Sequence, residues 1–382
     1  MANHQPFAQI DLLKLLNEHK VLVCCGTGGV GKTTTAVALS LSATRLGKRV
    51  LVLTIDPSKR LAQALGIEQN TQEPVQIQPE KLKSLGIDQG QLWAWLLDPG
   101  VVSDRVVRSQ SKGNPEILLK NSIYQEVSHM VAGMQEYTAV EALHYFVGDP
   151  RFDLIILDTP PARHALRFLD SPRRVAQFLD KRIFKLFTPS TEGFLGKMAS
   201  KLIDEVLDRA FGEDMRKELK VFFERFGEIL DFLNLNQQKM EVFFKSKDVQ
   251  FLLITTDHSH VIEEALYFYD QCKNHLSLNF AGIILNKAYD LQTQSLKIDE
   301  TLSTIQKYRT MSQDQTDQLK DQFELYLSSR HDRKRLEDIQ KRATFDQIKT
   351  IAPIKELPNL GLSGGELEGI KRLSDILIGY EK

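Results

Sequence analysis

Cysteine is scarce in this chain. Its 382 residues include three, Cys24, Cys25 and Cys272. That is too few for a disulfide framework, and a reducing, cytoplasmic setting is the expectation. No C-x-x-C pair occurs, so the commonest zinc-ligand spacing is absent. No apolar run approaches the ~20 residues of a membrane span, which predicts no transmembrane segment. The stretch MANHQPFAQIDLLKLLNEHK has neither the basic start nor the apolar core of a signal peptide. An excess of one charge is missing as well. Lys and Arg total 49 against 50 Asp and Glu, a formal net charge of −1. No nucleic-acid partner is expected from such a surface. The RHDRKR run at 330–335 reads as a solvated helix face, with nucleic-acid contact the lesser alternative. Internal repeats are absent.

What the chain does have is material for a core, with hydrophobic residues at 42%. Val21 to Cys25 is a β-favouring apolar run that stops at glycines, and Thr33 to Leu46 reads as a helix closed by Gly47. Arg49 to Ile55 is the next strand, ending at Asp56-Pro57. Such a β-loop-α-β unit predicts a parallel sheet. Phe152 to Leu157, Gln250 to Thr255 and Ala281 to Leu285 read as three more strands. Residues 8–19 suit a short amphipathic helix, while 68–130 are mixed and harder to place.

Between the third and fourth strands the character changes. The stretch from Phe178 to Phe251 holds 12 of the 20 phenylalanines. Leu195, Met198, Leu202 and Val206, then Phe222, Phe226, Ile229, Leu230 and Leu233, follow helical steps. This density and spacing predict an inserted helical subdomain over 178–248, whose apolar faces are either ordinary core or an exposed groove. Residues 295–350 read as a charged helical segment, with Leu319, Phe323, Tyr326 and Leu327 on one face. In ELEGIKRLSDILIGYEK, Leu367, Ile370, Leu373, Ile376 and Leu377 share a face that would either pack on the sheet or lie on a membrane surface. Two lysines and one arginine are thin flanking for an anionic membrane.

The chemistry is concentrated at Gly26-Thr27-Gly28-Gly29-Val30-Gly31-Lys32-Thr33, which satisfies G-x-x-x-x-G-K-[ST] between a strand and a helix. Glycines let the amides of Gly28, Gly29, Val30 and Gly31 turn inward around phosphate oxygens. The helix that follows aims its N-terminal amides, from Lys32 to Thr34, at the same charge. Lys32 would reach the β- and γ-phosphates and the Thr33 hydroxyl would ligate Mg²⁺. Asp158, at the end of FDLIIL, is placed to hold the Mg²⁺ shell; a strand-end Asp also serves as a helix cap or turn former. Asp56 would orient the attacking water or simply form the turn. The expected fold is α/β, a parallel doubly wound P-loop NTPase sheet in one domain over 1–382, carrying the insertion at 178–248.

Three stretches together, GTGGVGKTTT, LTIDPSKRLAQALG and DTPPARHALRFLD, resemble the ArsA/tail-anchored-protein-targeting ATPases of the MinD–ParA–NifH class. Within it they are similar to a bacterial subgroup labelled anion-transporting ATPases. The likeness resumes at FLLITTDHSHVIEEALYFY, GIILNK and KELPNLG, so it spans nearly the whole chain. The resemblance implies an Mg²⁺-dependent ATPase whose two copies face each other as a homodimer, coupled to a hydrophobic client protein or a membrane-protein partner. It implies that Asp56 positions the hydrolytic water, that Asn286 reads adenine and that Pro358 borders the base. A MinD-like membrane-surface or positioning scaffold is the alternative. Two departures stand out. The family's extra lysine in the phosphate loop is Thr27, leaving Lys59, Arg60 and Arg163 as the cations in the switches. The paired cysteines that hold zinc or arsenic in relatives have no counterpart, since Cys24 and Cys25 fall within an apolar strand.

Overall fold

The computed structural model describes residues 9–55, 61, 65–67, 71–130, 134–161, 193–290, 351–359 and 367–380. Among these, eight strands form one sheet: β1 (Val21–Gly26), β2 (Arg49–Thr54), β3 (Val75–Gln76), β4 (Gln91–Leu96), β5 (Leu154–Asp158), β6 (Val249–Thr255), β7 (Phe280–Asp290) and β8 (Ile354–Asn359). Their order is β3-β4-β2-β5-β1-β6-β7-β8, parallel throughout except that β3 runs antiparallel to β4. The expected α/β class with a parallel doubly wound sheet is therefore the observed one.

The sheet is covered on both faces, which is why its strands are continuous apolar runs. Alternate side chains go to opposite layers. Val21, Val23 and Cys25 join Leu51, Leu53, Ile155, Leu157 and Leu253 in one layer, while Leu22, Cys24, Val50, Val52, Ile156 and Ile254 join the other. The second layer is closed by α1 (Leu12–Glu18), α2 (Lys32–Arg45), α3 (Pro79–Ser84) and α11 (Leu367–Ile378). The first is closed by α4 (Pro99–Gln110), α7 (Met134–Val147) and α10 (Ser259–Asp270), which runs on into a π-helical turn at Gln271–His275. The face of α11 carrying Ile370, Leu373 and Leu377 is buried with the second layer, and Ser42 of α2 bonds both the carbonyl and the hydroxyl of Ser374. That face is thus spent on internal packing and not displayed toward a membrane.

Between β5 and β6 the described chain forms α8 (Gly193–Phe211) and α9 (Glu213–Phe244), of which α9 has 32 residues and spans about 48 Å. Phe222, Phe226, Ile229 and Leu233 pack with Val107, Leu118, Leu119 and Tyr124 into a satellite core against α4, α5 (Glu116–Leu119) and α6 (Ser122–Met130). Further along, Asn236 donates to the Glu141 carboxylate of α7 at 3.0 Å, both residues buried. Met240 and Phe244 then enter the main core. Residues 178–192 of the inserted segment, the charged segment 295–350 and the RHDRKR run lie outside the described residues.

Three strands are additions to the sequence reading: β3, β4 and β8. The strand expected at 281–285 continues to Asp290 because β8 pairs alongside it, with Tyr289 opposite Pro358.

Candidate functional site

The β1–α2 loop lies where the strand order changes direction. β1 sits between β5 and β6; the connection to β2 runs to one side of it and that from β6 to β7 to the other. In open parallel sheets this switch point opens a crevice at the carboxyl ends of the strands, where ligands bind.

Two glycines shape the loop. A Cβ on Gly26 would fall 2.1 Å from the Ile254 carbonyl oxygen, so glycine alone keeps β1 paired with β6 up to the turn. Gly31 holds φ +93° as the cap of α2, and a Cβ there would fall 2.3 Å from the Asn286 amide nitrogen. Gly28 and Gly29 are exposed at the tip, Val30 is buried, and Thr33 and Thr34 are half-buried. No side chain caps the first turn of α2, which leaves its amides available to an anion. Lys32 is buried and its Nζ donates to the Thr27 carbonyl oxygen at 2.7 Å.

Asp158, fully buried at the end of β5, meets this loop from the neighbouring strand. Its Oδ2 accepts hydrogen bonds from Thr33 Oγ1 at 2.7 Å and from Thr54 Oγ1 at 3.0 Å. Thr54 ends β2 in register with Asp158, and Cys24 lies in register on the β1 side. Thr159 donates through both its amide and its hydroxyl to the Cys24 carbonyl, at 3.2 and 2.9 Å, which fixes the strand end. Thr33 Oγ1 and the Asp158 carboxylate are hard oxygen donors of the kind Mg²⁺ takes. Lys32 and the α2 amides suit phosphate oxygens. Thr54 was missed by sequence reading, although its place, the last residue of a parallel strand, is where such groups collect.

Charge is felt along β1. Burial drives the Cys24 thiol up, the Asp158 carboxylate adds to that, and Lys32 opposes it. Burial likewise raises Cys25 and Cys272. All three are free and buried thiols with little thiolate character.

Asn286 comes to the loop from β7. The pairing of β7 with β8 shifts between Leu285 and Tyr289, and Lys287 takes φ +57°. This bulge turns the Asn286 amide toward the loop. Its Nδ2 donates to the Val30 carbonyl at 2.8 Å and its Oδ1 accepts from the Lys287 amide at 3.0 Å. A primary amide has two N–H groups and two acceptor sites, so one of each remains. Pro358 is buried on β8 opposite Tyr289, three residues beyond Asn286 along the neighbouring strand. The structure thus brings Lys32, Thr33, Asp158 and Asn286 around one loop. Asp56, Lys59, Arg60 and Arg163 lie outside the described residues.

A family model described as anion-transporting ATPase matches residues 19–328. Among curated proteins, the "ATPase ASNA1 homolog 1" of Paramecium tetraurelia is 28% identical over 193 residues, covering 49% of this chain and 55% of that one. The "ATPase GET3" of Mycosarcoma maydis is 29% identical over 184 residues, covering 48% and 51%. The "ATPase get3" of Schizosaccharomyces pombe is 29% identical over 156 residues, covering 41% and 44%. The chain spans about half the length of the curated relatives it matches. The family match covers most of the chain and includes the P-loop and Asp158, and on that ground the chain belongs to the anion-transporting ATPase family of P-loop NTPases.

Proposed function

We propose that this protein binds ATP with Mg²⁺ at the β1–α2 loop and hydrolyses it to ADP and phosphate, working as a homodimer that couples the nucleotide state to a hydrophobic client or a membrane-protein partner in the cytoplasm. The observation that carries the reading is the convergence of Thr33 and Thr54 on the buried Asp158 carboxylate beside Lys32 and the N-terminus of α2. In this reading the amides of Gly28, Gly29, Val30, Gly31 and Thr34 cradle the phosphates and Lys32 neutralises them. Thr33 and Asp158 hold the Mg²⁺, which offsets charge on the β- and γ-phosphates when bound. Asp56 orients the attacking water. The free donor and acceptor of Asn286 meet the base, with Pro358 at its border.

Support for the homodimer and the partner comes from membership of the family and from exposed apolar side chains on the insertion. Val206, Phe211, Leu235 and Val242 are exposed on α8 and α9, whereas Phe222 and Phe226 are consumed by the satellite core. The test is Lys32→Ala. It removes the point charge on the triphosphate, and equilibrium binding of a fluorescent ATP analogue should fall below detection. Wild-type affinity in the variant refutes the assignment of the loop.

A further inference from the structure

Thr54 closes β2, an otherwise apolar strand whose Val50, Leu51, Val52 and Leu53 are all buried. It is itself 1% exposed, in a place where valine would pack without the cost of burying a hydroxyl. Alternation along the strands sets Thr54 on the side of Val50 and Val52, and Asp158 on the side of Leu154 and Ile156. That is the layer closed by α2, whose second residue is Thr33. Side chains from three elements therefore meet there. Thr54 Oγ1 and Thr33 Oγ1 both donate to Asp158 Oδ2, at 3.0 and 2.7 Å.

The two donors are not equivalent. Thr33 is half-buried in the first turn of the helix that follows the phosphate loop. Thr54 is fixed by the ladder on both sides: its carbonyl accepts from the Leu97 amide at 3.1 Å, and the next amide, of Ile55, donates to the Asp158 carbonyl at 3.1 Å. Its β-branched side chain is stiff at χ1. Thr54 is thus the fixed end of a hydroxyl–carboxylate–hydroxyl chain, and Thr33 is the end with exposed surface. A strand-end threonine does not do this by default. Thr255, at the end of β6, is equally buried, and its hydroxyl turns to the Thr256 carbonyl.

We infer that Thr54 is a positioning residue for the metal: it fixes the Asp158 carboxylate, and through it the Thr33 hydroxyl, in the arrangement that takes Mg²⁺. The inference rests on the ATPase reading above and deepens it. With almost no surface of its own, Thr54 acts through Asp158 and not on the ion. The χ2 torsion of an aspartate is broad, so a carboxylate held by one hydroxyl can rotate, whereas one held from two elements is pinned. Groups one bond behind a metal ligand set how tightly the metal is held. The contact therefore contributes to metal affinity and not to nucleotide affinity in the metal's absence.

Thr54→Val removes the hydroxyl at nearly constant shape, and Thr54→Ser keeps it. Mg²⁺ is titrated by calorimetry into each protein in saturating ADP, and ADP binding without metal is measured in EDTA. Thr54→Val should raise the Mg²⁺ dissociation constant roughly 10- to 100-fold. Its ADP affinity in EDTA should be unchanged, and Thr54→Ser should hold Mg²⁺ like wild type. Wild-type Mg²⁺ affinity in Thr54→Val overturns the inference and leaves the ATPase reading standing. ADP affinity that falls equally in EDTA and in Mg²⁺ also overturns it, by making Thr54 a residue that shapes the loop. Where Thr54→Val does not fold, Thr54→Ala against Thr54→Ser isolates the same hydroxyl, and equal Mg²⁺ affinities in that pair overturn the inference. Wild-type protein that binds neither ADP nor Mg²⁺ refutes the ATPase reading itself.

Discussion

The two ends of the same sheet treat polar groups in opposite ways. At the amino ends of the strands, charges sit near water and pair within the chain. Arg49 forks onto Asp153 through Nε at 3.1 Å and Nη2 at 2.6 Å, Arg151 holds Asp149 at 2.7 Å, and the ammonium of Lys20 donates to the Phe152 carbonyl. At the carboxyl ends, Thr27, Lys32, Thr54, Asp158, Thr256 and Asn286 are all buried. Thr54, with the half-buried Thr33, meets the Asp158 carboxylate, while among the described residues the hydroxyls of Thr27 and Thr256 have no partner. The strands joining the two ends are equally apolar, so the contrast does not come from the core. Exposed pairs are cheap to satisfy internally and add little stability. Buried polar groups that the chain does not fully satisfy persist where a ligand completes them.

The largest effect expected from this contrast is at Asp158. Asp158→Ala removes the acceptor of Thr33 and Thr54 and one proposed Mg²⁺ contact. Phosphate release under saturating ATP should drop about 10²- to 10³-fold. Turnover close to wild type would break the comparison, because the buried carboxylate would then be structural. Asn286→Ala sharpens it. Losing the donor to the Val30 carbonyl should loosen the loop and weaken inorganic tripolyphosphate roughly 3-fold, while ATP, which also loses the proposed base contact, should weaken roughly 10-fold. If calorimetry finds tripolyphosphate unaffected and only ATP weakened, Asn286 acts on the base alone.

The smallest effect belongs to the other end. Arg49 beside Asp153 holds its carboxyl down to about 2, below the ~3.9 of a free aspartate. A depressed folded value means the pair's contribution is complete above pH ~4 and is lost as pH falls through about 2. Asp153→Asn should therefore cost roughly 0.5 kcal/mol in urea unfolding at pH 7. That difference should close toward pH 2, with turnover unaltered. A fall in turnover would mean that the two ends are coupled through the sheet.

Local features were the legible ones. β1, β2, β5 and β6 read directly as strands because burial on both faces makes them uninterrupted apolar runs. Lys32, Thr33 and Asp158 followed from a motif that spans one turn and from a carboxylate at a strand end. β8 escaped because IKELPN has no two-residue alternation and carries Pro358, as an edge strand can, and only pairing with β7 makes it a strand. β4 was hidden among the short helices of 71–130 and is defined by its ladder with β2. The contact of Asn286 with Val30 joins residues 256 positions apart, which no local pattern encodes. For Thr27 the sequence registers a missing charge, and burial adds that the side chain faces inward. Helical spacing placed the phenylalanines of α9, but which of them are core depends on helices about a hundred residues earlier.

The helix that presents the phosphate loop waits through most of synthesis for one of its neighbours. Ser42 of α2 meets Ser374 of α11 across 332 residues of chain. At 5–20 residues per second, a ribosome takes roughly 20–60 s to cover that distance. Through that interval Ser42 and Arg45 of α2 lack Ser374 and Asp375, the partners they bond in the finished fold. A nascent chain can complete the loop at residues 26–33 early, yet the layer behind it closes only when residues 367–378 have emerged. A messenger truncated before that point would yield the loop on a layer that lacks the α11 residues Ile370, Leu373 and Leu377.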